Sequence, residues 1–159
     1  MQNKIRPLLF AIAFISFGLI GAALYLQHVV DLLPCPLCVI QRYAFLGIGI
    51  FALAGALGKR PLIWIGLALA SGLGGLVTAG KHLYVLANPG FSCGIDPMET
   101  FLNKIPTATL MPWLFEADGL CERADDLIMG LNIPQWAAVW FVLLTSALVV
   151  LIIKGRKTA

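Results

Sequence analysis

The sequence predicts an all-α membrane protein, an antiparallel bundle of four transmembrane helices with two loops on one side. Three observations carry this expectation: the composition, four long apolar runs, and the segregation of charge. Of 159 residues, 60% are hydrophobic and 12% charged, against about 45–50% and ~25% in soluble domains. Mean hydropathy is +0.91. So apolar a chain cannot stay disordered, because disorder needs low hydrophobicity and high charge. It also lacks the polar surface to cover a water-soluble particle.

The apolar runs are Leu8 to Leu26, Val39 to Leu57, Leu62 to Ala79 and Trp136 to Ile153. A span needs about 20 mainly apolar residues, and each run extends roughly 27–29 Å as a helix. Helices satisfy their own backbone in lipid. A barrel would need alternating segments of about ten residues, and these runs do not alternate. Gly58 to Pro61 forms a tight turn between helices two and three, with Pro61 placed to start a helix. The loops cover about 27–38 and 82–135, and residues 1–159 read as a single membrane domain. The long loop holds five of the chain's nine prolines, and loops of that length are usually functional or disordered. Gly66, Gly72, Gly74, Gly75 and Gly80 on helix three suit close helix packing.

Charge orients the bundle. Lys4 and Arg6 precede helix one, Lys59 and Arg60 fill the tight turn, and Lys154, Arg156 and Lys157 follow helix four. The positive-inside rule puts that side, with both termini, in the cytoplasm. All eight acidic residues fall on the other side. The N-terminal basic residues, apolar run and Gly21-Ala22-Ala23 imitate a cleaved signal peptide. The run is longer than a typical apolar region of about 7–15 residues, so it reads as a retained helix.

Cys35, Cys38, Cys93 and Cys121 all fall in the outer loops or at their membrane boundary. Disulfides persist in such oxidising compartments. Four cysteines allow three connectivities, and the natural pairing is one bridge per loop, Cys35–Cys38 and Cys93–Cys121. Cys35-Pro36-Leu37-Cys38 heads helix two, where proline suits the first helical position. The helix N-terminus favours a thiolate there. A bridge across two residues constrains little chain and adds little stability, which favours a redox-active pair over a structural one. The motif is also half of a zinc site, but Cys93 and Cys121 lack a second C-x-x-C, and no metal site is expected. Cys93–Cys121 would close a longer loop, worth roughly 3–4 kcal/mol as a staple. On an accessible polar loop it can equally meet a foreign thiol, and the two bridges then make a relay.

A relay needs a terminal electron acceptor. Arg42 lies four residues after Cys38, so the two share a helix face. An ionisable residue inside a span is a functional candidate, although an arginine near a helix end also snorkels to headgroups. His82, after Lys81, could line the same pocket. Met111-Pro112-Trp113-Leu114-Phe115 reads as an interfacial anchor lying flat on the membrane. The competing reading is a non-enzymatic membrane protein whose outer loops are stapled by two structural disulfides.

Nearly the whole chain resembles the DsbB family, the bacterial inner-membrane disulfide bond formation proteins. Most specific are Leu24-Tyr25-Leu26-Gln27-His28-Val29 and Pro34-Cys35-Pro36-Leu37-Cys38-Val39-Ile40-Gln41-Arg42, whose C-x-x-C-x-x-x-R looks like the family signature. Ile133-Pro134-Gln135-Trp136 is similar to the family's PQW, and Lys81-His82 to a pair that is usually Arg-His. The resemblance implies a dithiol:quinone oxidoreductase of the inner membrane that reoxidises a periplasmic DsbA-like thiol oxidase. It implies that Cys93 receives the partner's thiolate, that the partner's second thiol resolves the adduct, and that Cys93 and Cys121 are left reduced. That pair is then reoxidised by exchange with Cys35–Cys38. Cys38 passes the electrons to a quinone (ubiquinone or menaquinone) bound with the help of Arg42 and His82. The lipid bilayer is the remaining partner, and no nucleic acid is expected.

Overall fold

The structure is a computed structural model that describes residues 2–88, 100–117, 119 and 127–156; Cys93 and Cys121 lie outside the described residues. Four long helices dominate: α1 (Gln2–Val29), α2 (Pro36–Leu57), α3 (Pro61–Ala87) and α6 (Ile133–Arg156). Each contains a stretch long and apolar enough to cross a membrane, so the chain is a four-helix membrane bundle. The helices overrun the apolar runs read from the sequence. The largest overrun is in α3, whose last eight residues (80–87) include Lys81 and His82. A helix of that length is about 40 Å long, more than the ~30 Å hydrocarbon core.

The helix ends follow local chemistry. Cys35 caps α2 in an extended conformation, and Pro36 takes the first helical position. The Gly58 N–H closes α2 on Ala54 O, and Pro61 opens α3. At α6, the Asn132 N–H donates to Gln135 Oε1 and the Gln135 N–H to Asn132 Oδ1, both at 3.0 Å. This reciprocal box satisfies two otherwise orphaned donors. Just before it, β1 (Leu127–Ile128) and β2 (Leu131–Asn132) pair antiparallel across Met129-Gly130. Both turn residues have positive φ, 54° and 88°, as a two-residue hairpin of twisted strands requires. Trp136 Nε1 donates to Ile128 O at 2.8 Å and locks the hairpin onto α6.

α2 packs against both α1 and α3, and α3 packs against α6. Leu9, Ile12, Phe45, Ile48, Ile65, Phe141 and Leu148 form the buried centre. The rings of Phe45 and Phe141 stack 4.0 Å apart. Two of the five α3 glycines are needed there. A Cβ on Gly75 would sit 2.2 Å from the Phe141 ring, and one on Gly72 2.5 Å from Thr145 Cγ2. Gly66, Gly74 and Gly80 meet nothing within 4 Å. Gly55 lies against Leu9, and Gly155 against Leu62. The start of α1, the α2–α3 turn and the end of α6 therefore share one end of the bundle. Phe14, Leu57 and Val77 lie on its outer surface, more than two-thirds exposed, as lipid-facing residues do.

The long loop folds back on α2. A helical turn at 100–103 leads to α4 (Pro106–Leu110) and α5 (Pro112–Phe115). Asn103 holds Ala117 through two hydrogen bonds. Ala108, Phe115 and Ala117 are buried with Val39, Phe115 stacks on Tyr43 at 4.2 Å, and the Tyr43 hydroxyl bonds Thr107 Oγ1. The 111–115 segment thus differs from a flat anchor. Met111, Pro112 and Trp113 are exposed, but Phe115 turns inward, because Val39 and Tyr43 offer it an apolar seat.

Candidate functional site

The site lies at the end of the bundle opposite the tight turn. Cys35, as the N-cap of α2, accepts a hydrogen bond on Sγ from the Cys38 N–H at 3.3 Å. That contact turns the two sulfurs toward one another, 2.8 Å apart as free thiols. Cys35 is 1% exposed. Hydrogen bonding to the Cys38 sulfur, together with burial, pushes the Cys35 thiol above the ordinary cysteine range. His82, from the overrun of α3, is fully buried and brings Nε2 to 3.7 Å from Cys35 Sγ.

Arg42 lies one turn below Cys38 and is 6% exposed. It does not reach out toward headgroups. Nη1 donates to Gln27 Oε1 at 2.7 Å and to Leu114 O at 2.8 Å, and Nη2 donates to Ala23 O at 3.5 Å. One guanidinium thereby joins α1, α2 and the end of α5. His28 adds a second tie, with Nε2 3.0 Å from Trp113 O.

A cavity of about 640 Å³ opens beside these groups. Cys35, Cys38, Gln41 and Arg42 line it on one side and Trp136 and Trp140 on another, while α1 supplies apolar residues between Leu19 and Leu26. Gln41 is 5% exposed, and its Nε2 is buried without a hydrogen-bond partner. Such a donor marks a place where a ligand's acceptor atom belongs.

Gly119 also lines the cavity, and its N–H donates to Pro34 O at 3.0 Å. A Cβ there would lie 2.2 Å from Leu33 O, so only glycine permits this approach.

Of the residues expected from the sequence, Cys35, Cys38 and His82 converge and Arg42 joins Cys38 on the cavity wall; Cys93 and Cys121 fall outside the described residues. Gln27, Gln41 and Gly119 were missed as site residues. The two glutamines carried a signal, being amides at the edge of apolar helices. Gly119 carried none, because its role depends on a tertiary contact.

A buried thiol paired with a half-buried one at the head of a membrane helix, facing a large cavity, defines a multi-pass membrane protein built for thiol–disulfide chemistry. The family model described as "Disulfide bond formation protein DsbB" matches residues 5–151. A Disulfide bond formation protein B of Ralstonia nicotianae is 51% identical over 99% of both chains. That of Herminiimonas arsenicoxydans is 55% identical over 91% of this chain and 92% of its own. Disulfide bond formation protein B 1 of Pseudomonas putida is 45% identical over 99% and 95%. The chain belongs to the DsbB family, the inner-membrane proteins of disulfide bond formation.

Proposed function

We propose that the chain is a protein-dithiol:quinone oxidoreductase. It reoxidises a DsbA-type thiol oxidase of the periplasm and delivers the electrons to a membrane quinone. The observation that carries this reading is the cavity, which brings the sulfur pair, the guanidinium and an unpartnered amide donor to one apolar space. A volume of about 640 Å³ lies within the ~300–1,000 Å³ of small-molecule sites. Its donors suit a ring bearing carbonyl oxygens, and its apolar α1 wall suits an isoprenoid chain. A bound quinone supplies a two-electron, two-proton acceptor.

The chain's own residues do the rest. Cys93 and Cys121 form the disulfide that the partner's thiols reduce, with Cys93 as the point of attack. The Cys121 thiolate then attacks Cys35, and Cys93 closes on Cys121, so the Cys93–Cys121 bridge reforms and Cys35 and Cys38 become a dithiol. Cys35 leaves as a thiolate and takes up a proton, which its raised thiol favours. Cys38 faces the cavity as the electron donor. Arg42 and Gln41 offer N–H donors to an acceptor oxygen that gains negative charge, an interaction that strengthens in a dry site. His82 positions the Cys35 sulfur.

The test is purified protein with a reduced thioredoxin-like partner and a short-chain quinone, following quinone absorbance. Stoichiometric quinone reduction that stops when Cys38 is replaced by serine is expected. Partner oxidation that continues without quinone and without oxygen would falsify the reading.

A further inference from the structure

We infer that the reduced protein holds a second kind of ligand: a thiophilic, tetrahedral divalent cation of the Zn²⁺ type, captured by Cys35, Cys38 and His82. Their three ligand atoms lie within 4.8 Å of one another, although His82 is 47 residues from Cys35 in sequence. Two thiolates, one imidazole and an open fourth position are an established zinc donor set.

The separations from Cys35 to its two partners are close to those a tetrahedral ion needs, and all three ligand atoms lie within 4.8 Å of one another. Zinc–sulfur bonds of about 2.3 Å and zinc–nitrogen bonds of about 2.0–2.1 Å put sulfur and nitrogen about 3.6 Å apart at the tetrahedral angle. Cys35 Sγ and His82 Nε2 are 3.7 Å apart. The same geometry separates two sulfurs by about 3.8 Å, so the sulfurs must part by about 1 Å from their present 2.8 Å. Cys38 lines the cavity, which leaves its sulfur space to turn and leaves the fourth position open to a water.

Charge decides which form binds. Arg42 opposes a bare cation nearby, and so does burial. Capture by two thiols releases two protons to solvent, and the resulting complex of one Zn²⁺, two thiolates and a neutral imidazole carries no net charge. The disulfide form has no thiolate to offer and cannot form this complex. Metal capture is therefore confined to the dithiol form, where it blocks both sulfurs and acts as a brake. That form is the one that accumulates when the electron acceptor runs short, so the functional consequence rests on the proposed turnover, whereas binding itself does not.

Co²⁺ serves as the probe, in protein carrying Cys93→Ser and Cys121→Ser so that only the helix-two thiols respond. The reduced protein should take up one Co²⁺, with thiolate-to-cobalt charge transfer in the near ultraviolet and the visible bands of a tetrahedral site. Zn²⁺ should bleach both. The same polypeptide with Cys35–Cys38 oxidised should show neither, a control that needs no further substitution. Losing even an outer partner of a metal ligand costs about 10–100-fold in affinity, so His82→Ala should weaken binding by at least about 100-fold and abolish the tetrahedral bands. Absence of bands in the reduced protein overturns the inference, as do bands that survive His82→Ala unchanged. No quinone enters the assay, so its failure is separate from failure of the oxidoreductase reading.

Discussion

An amide nitrogen buried without a partner destabilises a protein by about 1–3 kcal/mol, and Gln41 Nε2 is such an atom. Leucine has a similar volume and nothing to leave unsatisfied. Gln41→Leu should therefore raise the thermal midpoint of the protein free of quinone while raising the quinone KM. A lowered midpoint with unchanged KM would mean that the amide serves packing alone. Arg42 presents the opposite balance, since its Nη1 satisfies both Gln27 Oε1 and Leu114 O. Arg42→Ala strands two acceptors as well as removing the charge. Arg42→Lys keeps the charge but loses the planar fork. The expected order in quinone turnover is wild type, then lysine, then alanine, with binding of the thiol partner near normal in all three. Steady-state kinetics with each substrate varied separately checks this. Equal quinone kinetics in wild type and Arg42→Ala would confine the guanidinium to bracing α1, α2 and α5.

Between elements, the contact that matters most is the Gly119 N–H on Pro34 O, which pins the second loop to the first. An alanine Cβ would strike Leu33 O, a backbone atom that cannot rotate away. Gly119→Ala should slow electron transfer from Cys121 to Cys35 several-fold in rapid-quench thiol trapping. Reduction of quinone by protein whose Cys35–Cys38 pair has been chemically reduced should stay unchanged. Equal slowing of both steps would mean that the substitution disturbs the whole site. This docking marks where sequence reasoning stops. The four spans, the proline-led starts of α2 and α3, and the C-x-x-C at a helix head were legible, because they follow from local periodicity and capping. So was the importance of Gln135 and Trp136, but only by resemblance. The structure supplies their physical reason: one closes the capping box with Asn132, and the other holds the hairpin. The Gly119 contact, the inward turn of Phe115 and the placing of His82 beside Cys35 each join segments far apart in sequence, and no local pattern encodes them.

At the scale of the molecule, the connections at the two ends of the bundle differ in charge, and the orientation expected from that difference can be tested. The end formed by the start of α1, the α2–α3 turn and the end of α6 is the basic one. In the sequence, Lys4, Arg6, Lys59, Arg60, Lys154, Arg156 and Lys157 flank these segments, while all eight acidic residues fall in the two connections α1–α2 and α3–α6. Positively charged flanks are retained in the cytoplasm during insertion, which would set the sulfur pair, its cavity and the long loop toward the periplasm. The bundle has little else to orient it, since the four spans are similar in length and hydropathy. After reduction, a membrane-impermeant maleimide should label Cys93 and Cys121 in intact spheroplasts, whereas Cys35, buried at 1% exposure, should react slowly even then. Replacing Lys59 and Arg60 with glutamine removes the charge from the only short basic connection, and should produce a fraction of molecules whose two loop cysteines label only after lysis. Protection of Cys93 and Cys121 in intact spheroplasts of the unaltered protein would reverse the orientation and place the thiol chemistry in a reducing compartment, where a disulfide relay has no stable oxidised form.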